Sequence, residues 1–313
     1  MANAFSNLPG RAQFAAAGAG LAVQNRFASE GSWGKAANAL FLALMLLALT
    51  IAITAIVAIL AWAFVEGRTR LDLGLIFNGP STVYRATAGY SVAILGTLQI
   101  IGGVIALIIP LGAGAALYLE QFADKTKWWN RVIELNIQNL AGVPSIVFGI
   151  LGLAFFVRGP FSWGLVAAAG SATVALLVLP TVILASSEAS KAVPPSILES
   201  SLALGATRWQ AVWRQVLPAA APGMLTGVIL AVSRAIGEAA PLLLVGALTF
   251  VTFAPNFFDG GYSALPVLIY NYAGRPQEEF QILAAAGVLL MLAVLIVINS
   301  FAIWLRARYE RSW

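Results

Sequence analysis

The sequence contains no cysteine and no histidine. The first absence excludes disulfides and thiolate metal sites, and the second removes the commonest general base and metal ligand. No Gly-x-x-x-x-Gly-Lys-Ser/Thr run occurs either, so the chain has no P-loop with which to hold nucleotide phosphates. Charge is scarce. Only 10% of the 313 residues are Asp, Glu, Lys or Arg, against about 25% in an average soluble protein. Hydrophobic residues make up 60%. With no histidine, no cysteine and no convergent carboxylates, a membrane enzyme is poorly supplied with chemistry. The composition describes an all-α integral membrane protein whose ATP-driven work, if it does any, must be performed by a partner.

Crossing about 30 Å of hydrocarbon takes roughly 20 apolar residues in a helix. Six stretches meet this, at approximately 37–64, 89–119, 137–157, 163–186, 220–247 and 281–305. The first is too long for a signal-peptide core and no small-residue cleavage site follows it, so it reads as a retained helix. Residues 1–36, rich in Ala, Gly and Asn, read as a cytoplasmic tail, and 37–313 as one transmembrane domain. Pro110, followed by Gly112 and Gly114, is expected to loosen or kink the second span.

The distribution of Lys and Arg orients the spans. With both termini cytoplasmic, the inner side carries Arg11, Arg26, Lys35, Lys125, Lys127, Arg131, Lys191, Arg208, Arg214, Arg306, Arg308 and Arg311, while the outer loops carry only Arg68, Arg70, Arg85, Arg158 and Arg275. A net charge of +5 is then the ordinary basic inner face of such a protein and needs no nucleic acid to explain it. Trp128, Trp129 and Trp304, each beside Lys or Arg, fit the interfacial aromatic belt.

Between the fourth and fifth stretches lies a polar, charged segment, Glu199-Ser-Ser-Leu-Ala-Leu-Gly-Ala-Thr-Arg-Trp-Gln-Ala-Val-Trp-Arg-Gln-Val-Leu-Pro218, overlapping a cytoplasmic coupling segment read at 188–217. Pro194 and Pro195 are expected to break the preceding helix. Ser196 with Glu199 has the spacing of a capping box that opens a short new one. Ser200, Ser201, Ala203, Gly205 and Ala206 are small enough for close approach to another protein, and Gly205 allows the chain to turn out of the helix. Trp209 and Trp213 flank it. A plain interhelical loop with a capped turn is the bland alternative.

The fifth stretch holds Arg234-Ala-Ile-Gly237-Glu238-Ala-Ala-Pro241. Measured from Pro222 at about 1.5 Å per residue, Arg234 falls about 18 Å along the helix, near mid-membrane. A charge there costs about 2.5–3.5 kcal/mol on insertion scales, so it should not face lipid. Glu238 stands one turn on, within reach. The two either form an ion pair that locks this helix to a neighbour, or line a path in which Arg234 attracts an anion and Glu238 moderates that attraction so the ion can leave. Gly237 with Pro241 supplies a bend. Gly223 and Gly227, four apart, allow close helix approach, most simply within the chain itself.

The segment resembles the coupling loop of ABC importer permeases: Glu199, Gly205, Leu217 and Pro218 fit the spacing, Ser200 and Ser201 replace two Ala, and Gln215 replaces an apolar residue. Arg234-Ala-Ile-Gly-Glu238 with Ala-Ala-Pro-Leu-Leu, Asn139-Leu-Ala-Gly-Val-Pro-Ser-Ile-Val-Phe-Gly149 and Ala203-Leu-Gly-Ala-Thr-Arg-Trp209 narrow it to a resemblance to PstA-type permeases of phosphate-specific ABC importers, over about 89–305. One departure is that 184–188 lacks the Arg often found there. The resemblance implies a type I (MetI-like) permease fold with six transmembrane helices, in the inner (plasma) membrane. It also implies a non-catalytic transport subunit paired with a PstC-type permease, a PstB-type ATPase dimer that binds ATP and Mg, and a PstS-type phosphate receptor. ATPase docking then falls to Glu199, Ser200, Ser201, Leu204, Gly205, Ala206, Arg208 and Trp209, and the path to Arg234 and Glu238. The physics of a guanidinium fits sulfate, molybdate or tungstate as well as phosphate, so another oxyanion importer stays open. An ion-driven secondary transporter using Glu238 is a further alternative, one that would have no need of a docking segment.

Overall fold

A computed structural model describes residues 32–247 and 251–309. The expected tail lies outside the described residues up to position 31. The chain divides into two units, Met1–Ala61 and Trp62–Trp313. Helix α1, Ser32–Gly67, forms the described part of the first and continues into the second. It has no proline and is apolar on every face, the pattern of a helix that meets lipid all round. Its Thr50 hydroxyl donates to Leu46 O at 2.8 Å, so the polar group is satisfied inside the helix.

The helices that follow are α2 (Leu73–Phe77), α3 (Ser91–Leu117), α4 (Trp128–Ala141), α5 (Ser145–Gly152), α6 (Ala167–Lys191), α7 (Pro195–Ala203), α8 (Arg208–Ala211), α9 (Leu217–Gly237), α10 (Ala240–Leu244), α11 (Leu265–Ala273) and α12 (Glu278–Tyr309). Single π turns extend α3 over Tyr118–Phe122 and α5 over Leu153–Val157, and a third, Val212–Val216, joins α8 to α9. Among the described residues, five helices are long and apolar enough to cross a membrane, or six when the bent pair α4–α5 counts as one span.

Three expected spans differ in detail. The third is not one helix over 137–157: α4 and α5 meet at 106°. Gly142 ends α4, and Pro144, with no N–H to give, occupies the N-cap of α5. The fifth does not run over 220–247. Its helical run is Arg208–Gly237, so Pro222 lies inside it and Glu238 is the first residue beyond it. In the second, the helix continues through Pro110, and the ladder changes register instead at the π turn after Leu117.

Helix α6 is the hub of the second unit. Of its most apolar stretch 78% is buried, against 44, 33 and 28% for α3, the α8–α9 span and α12. Its sequence explains this: the run Ala167-Ala-Ala-Gly-Ser-Ala-Thr173 is narrow enough for neighbours to approach closely. A methyl at Gly112 of α3 would stand 2.5 Å from Val182 Cγ1, and one at Gly152 of α5 would collide with Thr173. Matching residues along both helices, Gly112 with Val182 and Gln121 with Ser190, show that α3 and α6 run parallel. The core between them is Ile100, Val104, Ile108, Val174, Val178 and Val182, extended by Ala231, Val232, Ala235 and Ile236 of α9.

At the N-terminal ends of α3 and α6, the described part of the loop after α10 folds onto the bundle. Gln99 Nε2 donates to Pro255 O at 2.8 Å and Ala168 N to Phe257 O at 2.9 Å, while Thr97 Oγ1 accepts from Leu265 N at 2.9 Å. Tyr262 is fully buried there, and burial raises its phenol pKa above the ordinary value.

Candidate functional site

The residues singled out from sequence fall at two places. The first is the turn from α6 into α9. Pro194 takes the N-cap of α7 and Pro195 its first helical position, where a missing N–H costs nothing. Ser196 is therefore already inside the helix, and the expected Ser196–Glu199 capping box does not form. The capping box is instead at α8. Thr207 Oγ1 accepts from Gln210 N at 3.3 Å and Gln210 Oε1 accepts from Thr207 N at 3.0 Å.

Between the two short helices Gly205 adopts φ +86°, the left-handed conformation that a helix C-terminus commonly needs. Around it the surface is open. Glu199, Ser200, Arg208 and Gly205 are exposed, Ser201 and Ala206 are half-buried, Leu204 is 90% exposed, and Trp209 is 60% exposed. Ser200 and Ser201 both donate to Ile197 O, which leaves a smooth, small-residue surface with one large apolar side chain at its tip. The Trp209 ring lies 6.0 Å from that of Phe122 and 5.4 Å from that of Trp213. That shelf ties the segment to the end of α3.

The second place is the end of α9. Arg234 lies in its last turn and Gly237 closes it, while Glu238 leaves the helix with φ −81° and ψ 111°. Despite the break, Arg234 Nε donates to Glu238 Oε1 at 3.3 Å, the side chains being 42% and 17% exposed. Pro241 opens α10 and sits against Gly149 of α5, where an added methyl would be 2.8 Å from Pro241 Cα. The segment beyond the break in the α9–α10 span thus packs on α5. Ser233, next to Arg234, bonds Asn299 of α12 at 2.7 Å and Ile229 O at 2.7 Å. The Ser233 hydroxyl is the donor in both contacts, to Asn299 Oδ1 and to Ile229 O, and its one hydrogen serves one acceptor at a time.

Gly223 and Gly227 pack within the chain. Methyls there would stand 2.7 and 2.5 Å from Ala189 Cβ and Ala185 Cβ of α6, so α9 runs antiparallel to α6 at close range.

A carboxylate that sequence reasoning passed over is also present. Glu120, in the π turn after α3, is only 3% exposed at its side chain, with Lys125 Nζ at 2.7 Å and Lys191 Nζ at 3.4 Å. The loop that delivers Lys125 is shaped by Asp124, which accepts from Thr126 Oγ1 at 2.6 Å and Thr126 N at 3.0 Å. Those bonds hold the Asp124 carboxyl below its usual range. The signal was in the sequence: Glu120 is the first acid after an apolar run of thirty-odd positions that began near Gly89.

Residues 108–312 match the family described as "Binding-protein-dependent transport system inner membrane component". The phosphate transport system permease protein PstA 1 of Mycobacterium tuberculosis (strain CDC 1551 / Oshkosh) is 33% identical over 215 residues, 68% of this chain and 69% of the relative. PstA of Yersinia pestis is 31% identical over 278 residues, covering 87% and 90%. Among solved structures, a bacterial alginate ABC transporter has a TM-score of 0.58 at 15% identity, covering 87% of this chain and 95% of that one. The MetNI methionine ABC transporter has a TM-score of 0.56 at 15% identity, covering 70% and 97%. At that identity the structural likeness speaks for the fold alone.

Proposed function

The chain belongs to the family of binding-protein-dependent transport system inner-membrane components, and on that premise we propose that it is the PstA-type permease subunit of an ATP-driven phosphate importer. The observation that carries the phosphate assignment is the similarity to PstA proteins across up to 87% of the chain. Charge geometry is equally suited to other oxyanions.

In this reading the protein spans the inner membrane with both termini in the cytoplasm, paired with a PstC-type permease. A PstS-type receptor delivers phosphate to the face that holds the loop after α10, and a PstB-type ATPase dimer binds ATP and Mg on the other. The permease itself performs no catalysis. Helix α7 and the Gly205 turn, with Leu204 foremost, dock into the ATPase, and the exposed positions Glu199, Ser200, Arg208 and Trp209 surround that contact. Ser201 and Ala206 keep the helix close to its support.

Arg234 lines the path at a break in the helix. A guanidinium 42% exposed in the isolated chain and held by one carboxylate keeps donors free for an anion. Glu238 weakens the attraction enough for release. It also offers an acceptor to the hydroxyl of protonated phosphate, which sulfate lacks at neutral pH. Transport by Glu238→Gln with unchanged selectivity and rate would remove that role.

The test is ATP hydrolysis by this chain reconstituted with its permease and ATPase partners, supplied with receptor carrying phosphate or sulfate. Stimulation by the phosphate-loaded receptor alone is expected. Equal stimulation by both anions would keep the importer and remove phosphate, and failure to assemble with any ATPase would return the chain to the secondary transporters.

A further inference from the structure

The docking helix α7 is joined to the hub helix α6 by a short link, Ala192–Pro194, in which Ala192 N still bonds Glu188 O, Val193 N turns to Ser190 O, and Pro194 with Pro195 after it gives no N–H. A link of that kind bends. Force applied at α7 would be spent at Ala192–Pro194 unless the end of α6 were held by something else.

The structure provides such a hold. Lys191, the last residue of α6, pairs within its own helix with Glu188 at 2.9 Å and also reaches across to Glu120 at 3.4 Å, and its neighbour Ser190 accepts from Gln121 Nε2 at 3.1 Å. Glu120 and Gln121 lie on the π turn Tyr118–Phe122, whose fifth-residue bond, Ala123 N to Tyr118 O at 2.8 Å, closes the end of α3. Lys125 holds Glu120 from the α4 side at 2.7 Å. Thus one carboxylate, 3% exposed, gathers the ends of α3 and α6 and the loop into α4. A carboxylate so buried is tolerated only with its cations in place. Beside this tie is a cavity of about 240 Å³, lined by Glu120, Gln121, Lys191, Pro194, Leu198 and Val216. Helix α7 itself is seated by packing, Leu198 with Val193 lying in the apolar cluster of Leu117, Val212, Ala220 and Met224.

We propose that the Glu120–Lys191 tie is a coupling strut: it makes the ends of α3 and α6 move as one body at the point where the docking helix leaves α6, so that ATPase motion passed on by α7 reaches both helices together. This rests on the permease reading above, and it makes Glu120, Gln121 and Lys191 positioning residues that touch neither ATP nor substrate. Lys191 is the better point of attack, because it is 45% exposed and its loss leaves Glu120 paired with Lys125.

The experiment places the whole importer in proteoliposomes and reads, in the same vesicles, ATP hydrolysed and phosphate imported. For Lys191→Met, normal recovery of the ATPase subunits and receptor-stimulated hydrolysis within twofold of wild type are expected, with phosphate imported per ATP lowered at least fivefold. Lys191→Arg, which keeps the charge and reach, is expected to restore the ratio. The proposal is overturned if Lys191→Met imports per ATP within twofold of wild type, or if Arg rescues assembly but not the ratio. It is equally overturned if both variants lose the ATPase subunits, since the tie is then merely structural. A wild-type complex that hydrolyses ATP but imports nothing would fail the permease reading itself, a result distinct from coupling that survives without the tie.

Discussion

Replacing Arg234 by Ala separates the two roles open to the charged pair at the end of α9, because the two predict effects of different size on different observables. As a structural bond the pair is weak. Its side chains are 42% and 17% exposed and the geometry is a single contact at 3.3 Å. Partly exposed pairs of this kind contribute about 0–1 kcal/mol after screening. No other element of the second unit bonds Arg234 in the described residues, whereas α9 is held on α6 by the Gly223–Ala189 and Gly227–Ala185 contacts and on α12 by Ser233–Asn299. Membrane insertion, recovery of the partner subunits and thermal midpoint should therefore change little. As a path residue Arg234 would supply a charge-assisted hydrogen bond to the anion, worth about 1.5–3 kcal/mol. At about 1.4 kcal/mol per tenfold, that is roughly a 10- to 100-fold loss of uptake. Arg234→Lys should fall between, since it keeps charge but not the planar fork. The assay is labelled phosphate uptake beside a co-purification of the complex. Normal uptake by Arg234→Ala, or uptake lost only because the complex no longer assembles, would refute the path role.

Three further outcomes follow from the geometry. Gly96→Ala would put its methyl on the Ser263 carbonyl oxygen, backbone that no rotamer change can clear; a cost of about 1–3 kcal/mol should appear as a lower thermal midpoint and reduced yield in detergent. Gly205→Ala meets no atom within 4 Å but forces an L-residue to φ +86°, so about 1–2 kcal/mol of backbone strain should weaken ATPase co-purification while leaving the permease pair intact. Burial pushes the Tyr272 phenol up to about 12. A folded pKa above the unfolded value gives stability that is whole below pH 10 and lost as pH rises toward 12. Tyr272→Phe should therefore flatten the alkaline limb of a stability-versus-pH curve, and an unchanged limb would remove this residue as its cause.

Much of the architecture was legible because the membrane simplifies the code. Apolar length alone marked five spans and the bent pair, though not all of their bounds, and close approach at Gly223 and Gly227 of α9 followed from residue size. Gly205 was readable because few residues other than glycine adopt a positive φ. What was not legible depended on backbone register. The Ser196–Glu199 spacing mimics a capping box, yet a proline two residues upstream had already taken the cap position. The 106° bend between α4 and α5 needed Pro144 to act as a break rather than a kink, and an apolar run does not distinguish those outcomes. Glu120 escaped because its importance lies in Lys191, 71 positions away, and in a π turn that no periodicity announces.

The two helix breaks carry the strongest link between fold and transport. Lipid offers no hydrogen bonds, so an interrupted helix at membrane depth persists only where protein or water satisfies the freed groups. Some are met locally: Gly142 N donates to Asn139 O, Val143 N to Leu140 O and Glu238 N to Ala235 O. Helix α5, beyond one break, also packs on the segment beyond the other, through Gly149 against Pro241. Yet α4 exposes Val132, Ile133, Leu135 and Leu140, and Arg234 is exposed beside the other break, all in the single chain. A charged group and interrupted helices left uncovered are costly against lipid and inexpensive against a second permease with a wet seam between. Both α4 and the end of α9 should therefore close on the sister subunit. Crosslinks from cysteines introduced on α4 and at the end of α9 should reach the partner permease, and their absence from both places would refute this assignment.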